Sequence, residues 1–253
     1  MEETNLAASA VPASALPPAS KIFSEAWQIY RARFKTLITI SLIPMLAFLV
    51  AGILAGGGAA LGFKFHINSF GLGIVGIIFA LVALIFIIYL GIWGTVAGIV
   101  AVKDHAEMVE WKEAYRRSKP LVNVFFTTGL LAGLAVFGGM ILLIIPGIIF
   151  AIWFSQSNYV VVEEGLGNTA ALKRSKYYVK GRIVEVAGKY LYIGLISIGL
   201  YILVGIFTAL VSGLSGIKGE NLSWISNIFS LIWTPMATAY GYLLYKALKA
   251  TRP

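Results

Sequence analysis

The chain lacks cysteine and has few charged residues. No Cys occurs among its 253 residues, which excludes disulfides, thiolate nucleophiles and Cys-based zinc sites. Only 12% of the residues are charged and 59% are hydrophobic, whereas soluble domains carry about 25% charged residues. This composition excludes an ordinary soluble domain.

The few charges are also absent from long stretches of the sequence. Charge-free runs occupy residues 36–63, 67–102, 120–162, 190–217 and 221–245. A helix needs about 20 apolar residues to cross a bilayer, and the runs lack the alternating polarity of barrel strands. The sequence therefore predicts an all-α, polytopic membrane protein.

The run from 120 to 162 is long enough for two crossings, which gives six transmembrane helices in total. Pro146 and Gly147 are expected to divide it, and Gly56 to Gly58 are expected to end the first span. For residues 121–162 the sequence leaves two arrangements open, two full spans or a re-entrant hairpin.

Basic segments precede three of the outgoing spans, at residues 21–35, 103–119 and 163–185. Apolar side chains recur in them at helical spacing, which predicts amphipathic helices lying in the cytoplasmic interface. Residues 25–31, 113–119 and 170–176 are alike in pattern. The likeness has two explanations. The chain contains a pseudo-three-fold repeat, or the segments are alike only because any interfacial helix needs Ala, aromatic and basic residues.

The distribution of basic residues predicts the orientation. With the N-terminus inside and six spans, 18 of the 20 Lys and Arg residues lie on the inner side, and only Lys64 and Lys218 lie outside. This asymmetry predicts cytoplasmic termini. It also accounts for the net charge of +9 without a nucleic-acid partner. Residues 1–20 are interpreted as a disordered tail, and residues 21–253 as a single membrane domain.

No span carries an ionisable residue in its middle, which argues against proton-coupled pumping and intramembrane acid–base chemistry. Lys189 lies near the inner end of its span and is expected to snorkel. No catalytic, metal-binding or cofactor motif stands above chance, so we expect no enzymatic activity, no metal and no cofactor. GxxxG pairs occur at about the chance frequency for 27 glycines.

Two sets of residues are candidates for specific contacts. The candidate contacts with lipid or a partner are the cations and one tryptophan of two basic segments: Lys173, Arg174, Lys176, Arg116, Arg117 and Trp111. The candidate polar path consists of three amide side chains, Gln156, Asn158 and Asn123. Asn227, Ser230 and Thr234 add a polar stripe to the last span. Such groups either join helices by hydrogen bonds or line a path.

Residues 145–154, 160–165 and 170–182 together resemble the membrane domain of some bacterial glycerophosphodiester phosphodiesterases and the related YciC-like inner-membrane proteins. The resemblance implies a multi-pass protein of a bacterial plasma membrane. It implies no catalytic residue, because the phosphodiesterase chemistry belongs to a separate soluble module.

We therefore expect a non-enzymatic membrane module that organises membrane lipids, anionic ones above all, or partner proteins at the cytoplasmic face. The alternative is a transporter or channel for a small or amphiphilic solute. A water-accessible path through the helices favours the alternative, and a dry interior favours the module.

Overall fold

The structure, a computed structural model, describes residues 16–64, 69–216 and 222–252. Within these ranges the chain forms ten α-helices and no strand. The helices are α1 (Ala19–Ala32), α2 (Phe34–Lys64), α3 (Ser69–Lys103), α4 (Trp111–Ser118), α5 (Val122–Leu142), α6 (Ile144–Phe154), α7 (Ser157–Glu164), α8 (Asn168–Val179), α9 (Ile183–Ser215) and α10 (Ser223–Ala250). The predicted all-α class is confirmed.

Several helices are suited to a bilayer. In the described part of the chain, four helical stretches are long and apolar enough to cross a membrane: Gly76–Lys103, Trp111–Leu142, Ile144–Glu164 and Ile183–Ser215. Helices α2 and α10 contain 31 and 28 residues, more than the about 20 that a crossing needs. The number of six crossings and the three-fold repeat stay predictions.

Large apolar side chains are exposed on the helix halves remote from the basic segments. Ile53, Ile85, Ile141 and Leu214 are 66%, 67%, 70% and 90% exposed. Contiguous apolar surface on this scale is unfavourable in water. Such a surface is suited to contact with the hydrocarbon layer of a lipid bilayer.

The buried core lies at the opposite ends of the helices, beside the basic segments. The C-terminal half of α10 supplies Tyr240, Leu244, Tyr245 and Leu248, all fully buried. The last turns of α3 and the residues of α7 and α8 belong to the same cluster. Here the basic segments and the spans are packed into one body.

The three predicted amphipathic segments contain helices α1, α4 and α8, which precede α2, α5 and α9. Positions that the sequence pattern makes equivalent are alike in burial. Ala26, Ala114 and Ala171 are completely buried. Four residues further along each helix, the hydroxyl-bearing residues Tyr30, Ser118 and Ser175 have at most 3% of their surface exposed. The predicted helix across residues 103–119 is shorter than expected. Met108 adopts a left-handed conformation (φ 52°), and only Trp111–Ser118 is α-helical.

Two predicted boundaries were wrong. Helix α2 continues through Gly56 to Gly58 as far as Lys64, because in lipid a helix keeps its backbone hydrogen bonds internal even at glycine. The division of the 120–162 run falls at Leu143, an extended residue between α5 and α6. Pro146 lies in the first turn of α6, where a missing N–H costs nothing.

The N-terminal part of the packed chain begins before Lys21. Leu16 is buried, and the carbonyl of Pro17 accepts a 2.7 Å hydrogen bond from Nζ of Lys189. Lys189 is only 7% exposed, so it anchors this segment rather than snorkelling as predicted. Residues 1–15 of the predicted tail lie outside the described residues.

Candidate functional site

Two helix-interior prolines border a large cavity in the described residues. Pro44 lies inside α2 and Pro235 inside α10. Proline has no N–H and distorts the helix around it. Between these two prolines and α3 lies a partly open cavity of about 820 Å³. Its position places it among three helices that are long enough to cross a membrane.

The backbone of α2 before Pro44 is stabilised from outside the helix. Because Pro44 has no N–H, the carbonyl of Ile40 lacks its helical donor. Oη of Tyr115, on α4, donates a 2.9 Å hydrogen bond to this carbonyl. On the far side, α3 approaches closely: a Cβ at Gly94 would lie 2.5 Å from Cγ of Pro44. Glycine is therefore required at position 94.

The backbone of α10 before Pro235 receives a similar contact from α1. Oη of Tyr30 donates a 2.9 Å hydrogen bond to the carbonyl of Ile232, three residues before Pro235. Helices α1 and α4 thus each bind a backbone carbonyl near one of the two prolines that border the cavity.

The wall of this cavity is mainly apolar, with a stripe of small polar groups. The predicted stripe of Asn227, Ser230 and Thr234 lines it and continues to Thr238. Across the cavity lie Ser41 of α2 and Thr95 of α3. Among the described residues, no charged side chain belongs to the lining.

Most of these hydroxyls donate into their own helices. Four side chains bond to the carbonyl four residues earlier: Ser41 to Leu37, Thr95 to Gly91, Thr234 to Ser230 and Thr238 to Thr234, at 2.7–3.0 Å. Each hydroxyl oxygen keeps lone pairs that can accept. The polar stripe therefore offers mainly acceptors to an occupant.

A second cavity of about 480 Å³ adjoins the first. The two share Thr95 and Thr238 as lining residues. The second is bordered by Asn158 and Tyr190, and Oδ1 of Asn158 is buried without a hydrogen-bond partner in the described structure. A buried acceptor of this kind is costly unless something binds it.

The second cavity lies beside a break between α6 and α7. The two helices are separated by Ser155 and Gln156. Oγ of Ser175, on α8, donates to the carbonyl of Trp153 at 2.6 Å and accepts from the N–H of Gln156 at 3.2 Å. The backbone groups freed by the break are thereby satisfied inside the protein, as lipid surroundings demand.

The three residues of the predicted polar path have different positions. Asn158 lines the second cavity. Gln156 is fully buried behind it, where its Nε2 donates to Oη of Tyr190 at 2.8 Å and its Oε1 has no partner in the described part. Asn123 is exposed on the first turn of α5 and lines neither cavity. Sequence reasoning did not identify Thr95, Thr238 and Tyr190.

The predicted lipid-contact residues of α4 are bound by neighbouring carboxylates. Arg117 forms ion pairs of 2.7–2.9 Å with Asp104, Glu107 and Glu113. Arg116 pairs with Glu113 at 2.6 Å. These arginines are exposed, but their charge is largely compensated within the protein. The carboxylates of Asp104 and Glu107 are thus engaged in ion pairs with Arg117.

Trp111 and the basic residues of α8 differ in their burial and in their contacts with other side chains. Trp111 is half-buried. Nε of Arg174 donates to Glu164 at 2.9 Å, and Nζ of Lys176 lies 4.0 Å from the ring centre of Trp153. Lys173 is exposed, and the described structure gives it no hydrogen bond or ion pair.

A tyrosine–carboxylate cluster joins α7, α8 and α10 at the basic end of the molecule. Oε1 of Glu164 accepts from Tyr178 at 2.6 Å and from Tyr245 at 2.7 Å, and Tyr242 donates to Glu163 at 2.9 Å. Burial and the hydrogen bond to Glu164 raise the pKa of Tyr178 to about 12. The cluster is fully engaged in holding helices together, so it offers no free acid or base.

Comparison of the chain with family models, with curated proteins and with solved structures finds no significant match. The resemblance to the membrane domain of bacterial phosphodiesterases therefore stays a prediction from the motifs in residues 145–182.

Proposed function

We propose that this chain is a six-span bacterial plasma-membrane protein, with cytoplasmic termini, that binds a small or amphiphilic uncharged solute between its helices and passes it across the membrane. The observation that carries the proposal is the pair of adjoining cavities with Thr95 and Thr238 as a common wall. Polar groups of α2, α3, α10 and the α6–α7 break face these spaces. Broken and kinked helices are typical of binding sites in transporters.

The chemistry of the lining favours a particular class of solute. The main cavity, about 820 Å³, falls within the about 300–1,000 Å³ of small-molecule sites. A charged solute would be desolvated there without a counter-charge, at a high cost. A hydroxyl-bearing solute can instead donate to the oxygens of Ser41, Thr95 and Thr234. The proposed substrates are thus uncharged molecules with hydroxyl or amide donors.

Flux through proteoliposomes tests this function. Glycerol, followed by stopped-flow light scattering, represents small solutes, and a fluorescent monoacylglycerol represents amphiphilic ones. We expect at least one probe to move faster than in empty liposomes. Thr238→Phe should slow that movement because it fills the wall common to both cavities. Thr208→Phe is the matched control, since Thr208 bonds to its own helix in the same way and lines neither cavity.

Flux equal to that of empty liposomes for both probes would sink the proposal. So would flux that Thr238→Phe and Thr208→Phe affect equally, because the route would then lie outside the cavities. Melting curves of both variants in detergent check that the fold is intact.

The proposed orientation has its own test. Because the chain has no cysteine, single cysteines can be introduced at positions 66 and 218, which the charge asymmetry places outside. An impermeant maleimide should label both in intact cells. Labelling only after permeabilisation would overturn the six-span topology.

A lipid- or partner-organising module is the second candidate function, and exposed Lys173 is the observation that favours it. Near an anionic leaflet one such charge contributes about 1 kcal/mol. Lys173→Gln should therefore weaken retention on vesicles containing anionic lipid. Arg174→Gln should instead destabilise the fold, since Arg174 pairs with Glu164. If Lys173→Gln leaves retention unchanged, this second function has no support at α8.

A further inference from the structure

A further concave site, which shares no lining residue with the solute cavities, lies where α1 packs against α9 and α10. It is a crevice of about 560 Å³. Its walls are mainly aromatic and aliphatic, formed by Trp27, Tyr30, Phe34, Leu200, Ile232 and Trp233. Trp27 and Phe34 are each 43% exposed, so large apolar surface is left uncovered at the crevice.

The polar atoms of two wall residues, Tyr30 and Trp233, already donate hydrogen bonds within the protein. Oη of Tyr30 donates to the carbonyl of Ile232. Nε1 of Trp233 donates to Oγ of Ser197 at 2.9 Å. The walls therefore present ring faces and hydrocarbon. A peptide segment in this crevice would have no partners for its backbone groups, which is unfavourable, whereas a hydrocarbon chain needs none.

One cation stands at the rim. Arg31, in the last turn of α1, lines the crevice and is exposed. In the described structure it makes no hydrogen bond or ion pair. Its neighbour Arg33 differs, being buried and bound to the carbonyl of Val109. A free guanidinium beside an apolar crevice is complementary to an amphiphile whose head is an anion, and guanidinium binds phosphate with two parallel hydrogen bonds.

The crevice also opens toward surface that lipid would cover. Leu203 on α9 and Ile228 on α10 are 62% and 44% exposed. Helix α1 is amphipathic and lies across these two helices, which is the arrangement expected at the boundary between headgroups and hydrocarbon.

We propose that this crevice binds one phospholipid, with its acyl chain against Trp27, Leu200 and Trp233 and its phosphate on Arg31. The site has no lining residue in common with the solute cavities, and its test does not depend on them. It is also more specific than general attraction between basic residues and an anionic surface, because it requires one particular arginine and the hydrocarbon-lined space beside it.

Native mass spectrometry of the full chain in detergent, titrated with phosphatidylglycerol, tests the site. Arg31→Gln should weaken binding of one lipid about fivefold, the equivalent of about 1 kcal/mol for one cation at a membrane surface. Lys21→Gln is the matched control: it removes the same charge from an exposed position on the same helix. It should leave that binding unchanged. Diacylglycerol, which lacks the phosphate, should bind the wild type and Arg31→Gln equally weakly.

Two further variants test the crevice itself. Leu200→Trp fills it while Arg31 remains, and should also remove the lipid. If that variant does not fold, phosphatidylglycerol with brominated acyl chains provides the readout. It should quench wild-type tryptophan fluorescence more than that of Trp27→Phe.

The proposal is overturned if Lys21→Gln loses as much lipid as Arg31→Gln, because the attraction is then diffuse. It is also overturned if folded Leu200→Trp retains the lipid, or if brominated lipid quenches wild type and Trp27→Phe alike. A change of oligomeric state in Leu200→Trp would overturn it too, by assigning the crevice to a second copy of the chain.

Discussion

Replacing Tyr115 by Phe removes the hydroxyl that binds the carbonyl of Ile40 while keeping the aromatic ring. That carbonyl cannot regain a helical partner, because the residue four positions later is Pro44. Tyr115 is only 8% exposed, so water does not readily replace the lost donor. A buried acceptor left unsatisfied costs about 1–3 kcal/mol. We expect Tyr115→Phe to lower the free energy of unfolding by that amount.

Tyr30→Phe is a matched comparison. Its hydroxyl also binds a backbone carbonyl, that of Ile232, but the residue four positions later is Met236, which has an N–H to offer. The expected cost is therefore only about 0.5–1.5 kcal/mol, the net value of an ordinary hydrogen bond. The difference between the two variants isolates the effect of proline.

A double-mutant cycle provides the assay. Pro44→Ala returns an N–H to α2, so Tyr115→Phe should cost about 1 kcal/mol less in that background than in the wild type. Unfolding is followed by tryptophan fluorescence while SDS is titrated into mixed micelles. Equal costs of Tyr115→Phe in both backgrounds would refute the reasoning, since the hydroxyl would then not be replacing the missing donor.

Two further predictions concern the packed basic end. Gly241→Ala should destabilise the protein by about 1–3 kcal/mol, because a Cβ there would overlap the hydroxyl of Tyr159. Gly194→Ala is the control, since there is open space around Gly194. Equal midpoints of SDS unfolding for the two variants would contradict this packing. Tyr178 has a pKa raised from 10.0 to about 12, so its contribution to stability is complete below pH 10 and is lost as pH rises toward 12. Unfolding midpoints measured across that window should fall less steeply in Tyr178→Phe than in the wild type, and parallel curves would contradict this assignment.

The helical class could be predicted because the hydropathy of a span is local in sequence. The break after α5 could not be placed correctly, since Pro146 is equally suited to a break and to the first turn of a helix. Met108 in a left-handed conformation gave no sequence signal either, although it shortens the predicted interfacial helix to α4.

The candidate sites were predictable to different degrees. The stripe of Asn227, Ser230 and Thr234 has helical spacing, and one further turn would have added Thr238. Thr95 is the one Ser or Thr among residues 74–102, with no polar stripe around it in sequence, so only the tertiary structure shows that it faces the stripe of α10. The pairing of Arg117 with Glu113 follows from their spacing on one helix. Its pairing with Asp104 depends on the turn before α4, which no local pattern encodes.

Cysteine accessibility in native membranes tests the central claim most directly. The claim is that a water-accessible space with a polar stripe lies between α2, α3 and α10. A thiol reacts with water-soluble methanethiosulfonates only where water ionises it. Thr234→Cys lies in the cavity lining, whereas Leu203→Cys lies on exposed apolar surface of α9. We predict rapid reaction at position 234, slowed by excess glycerol or monoacylglycerol, and little reaction at position 203. A Thr234→Cys variant as inert as Leu203→Cys would mean that the space between α2, α3 and α10 is dry, contradicting the account.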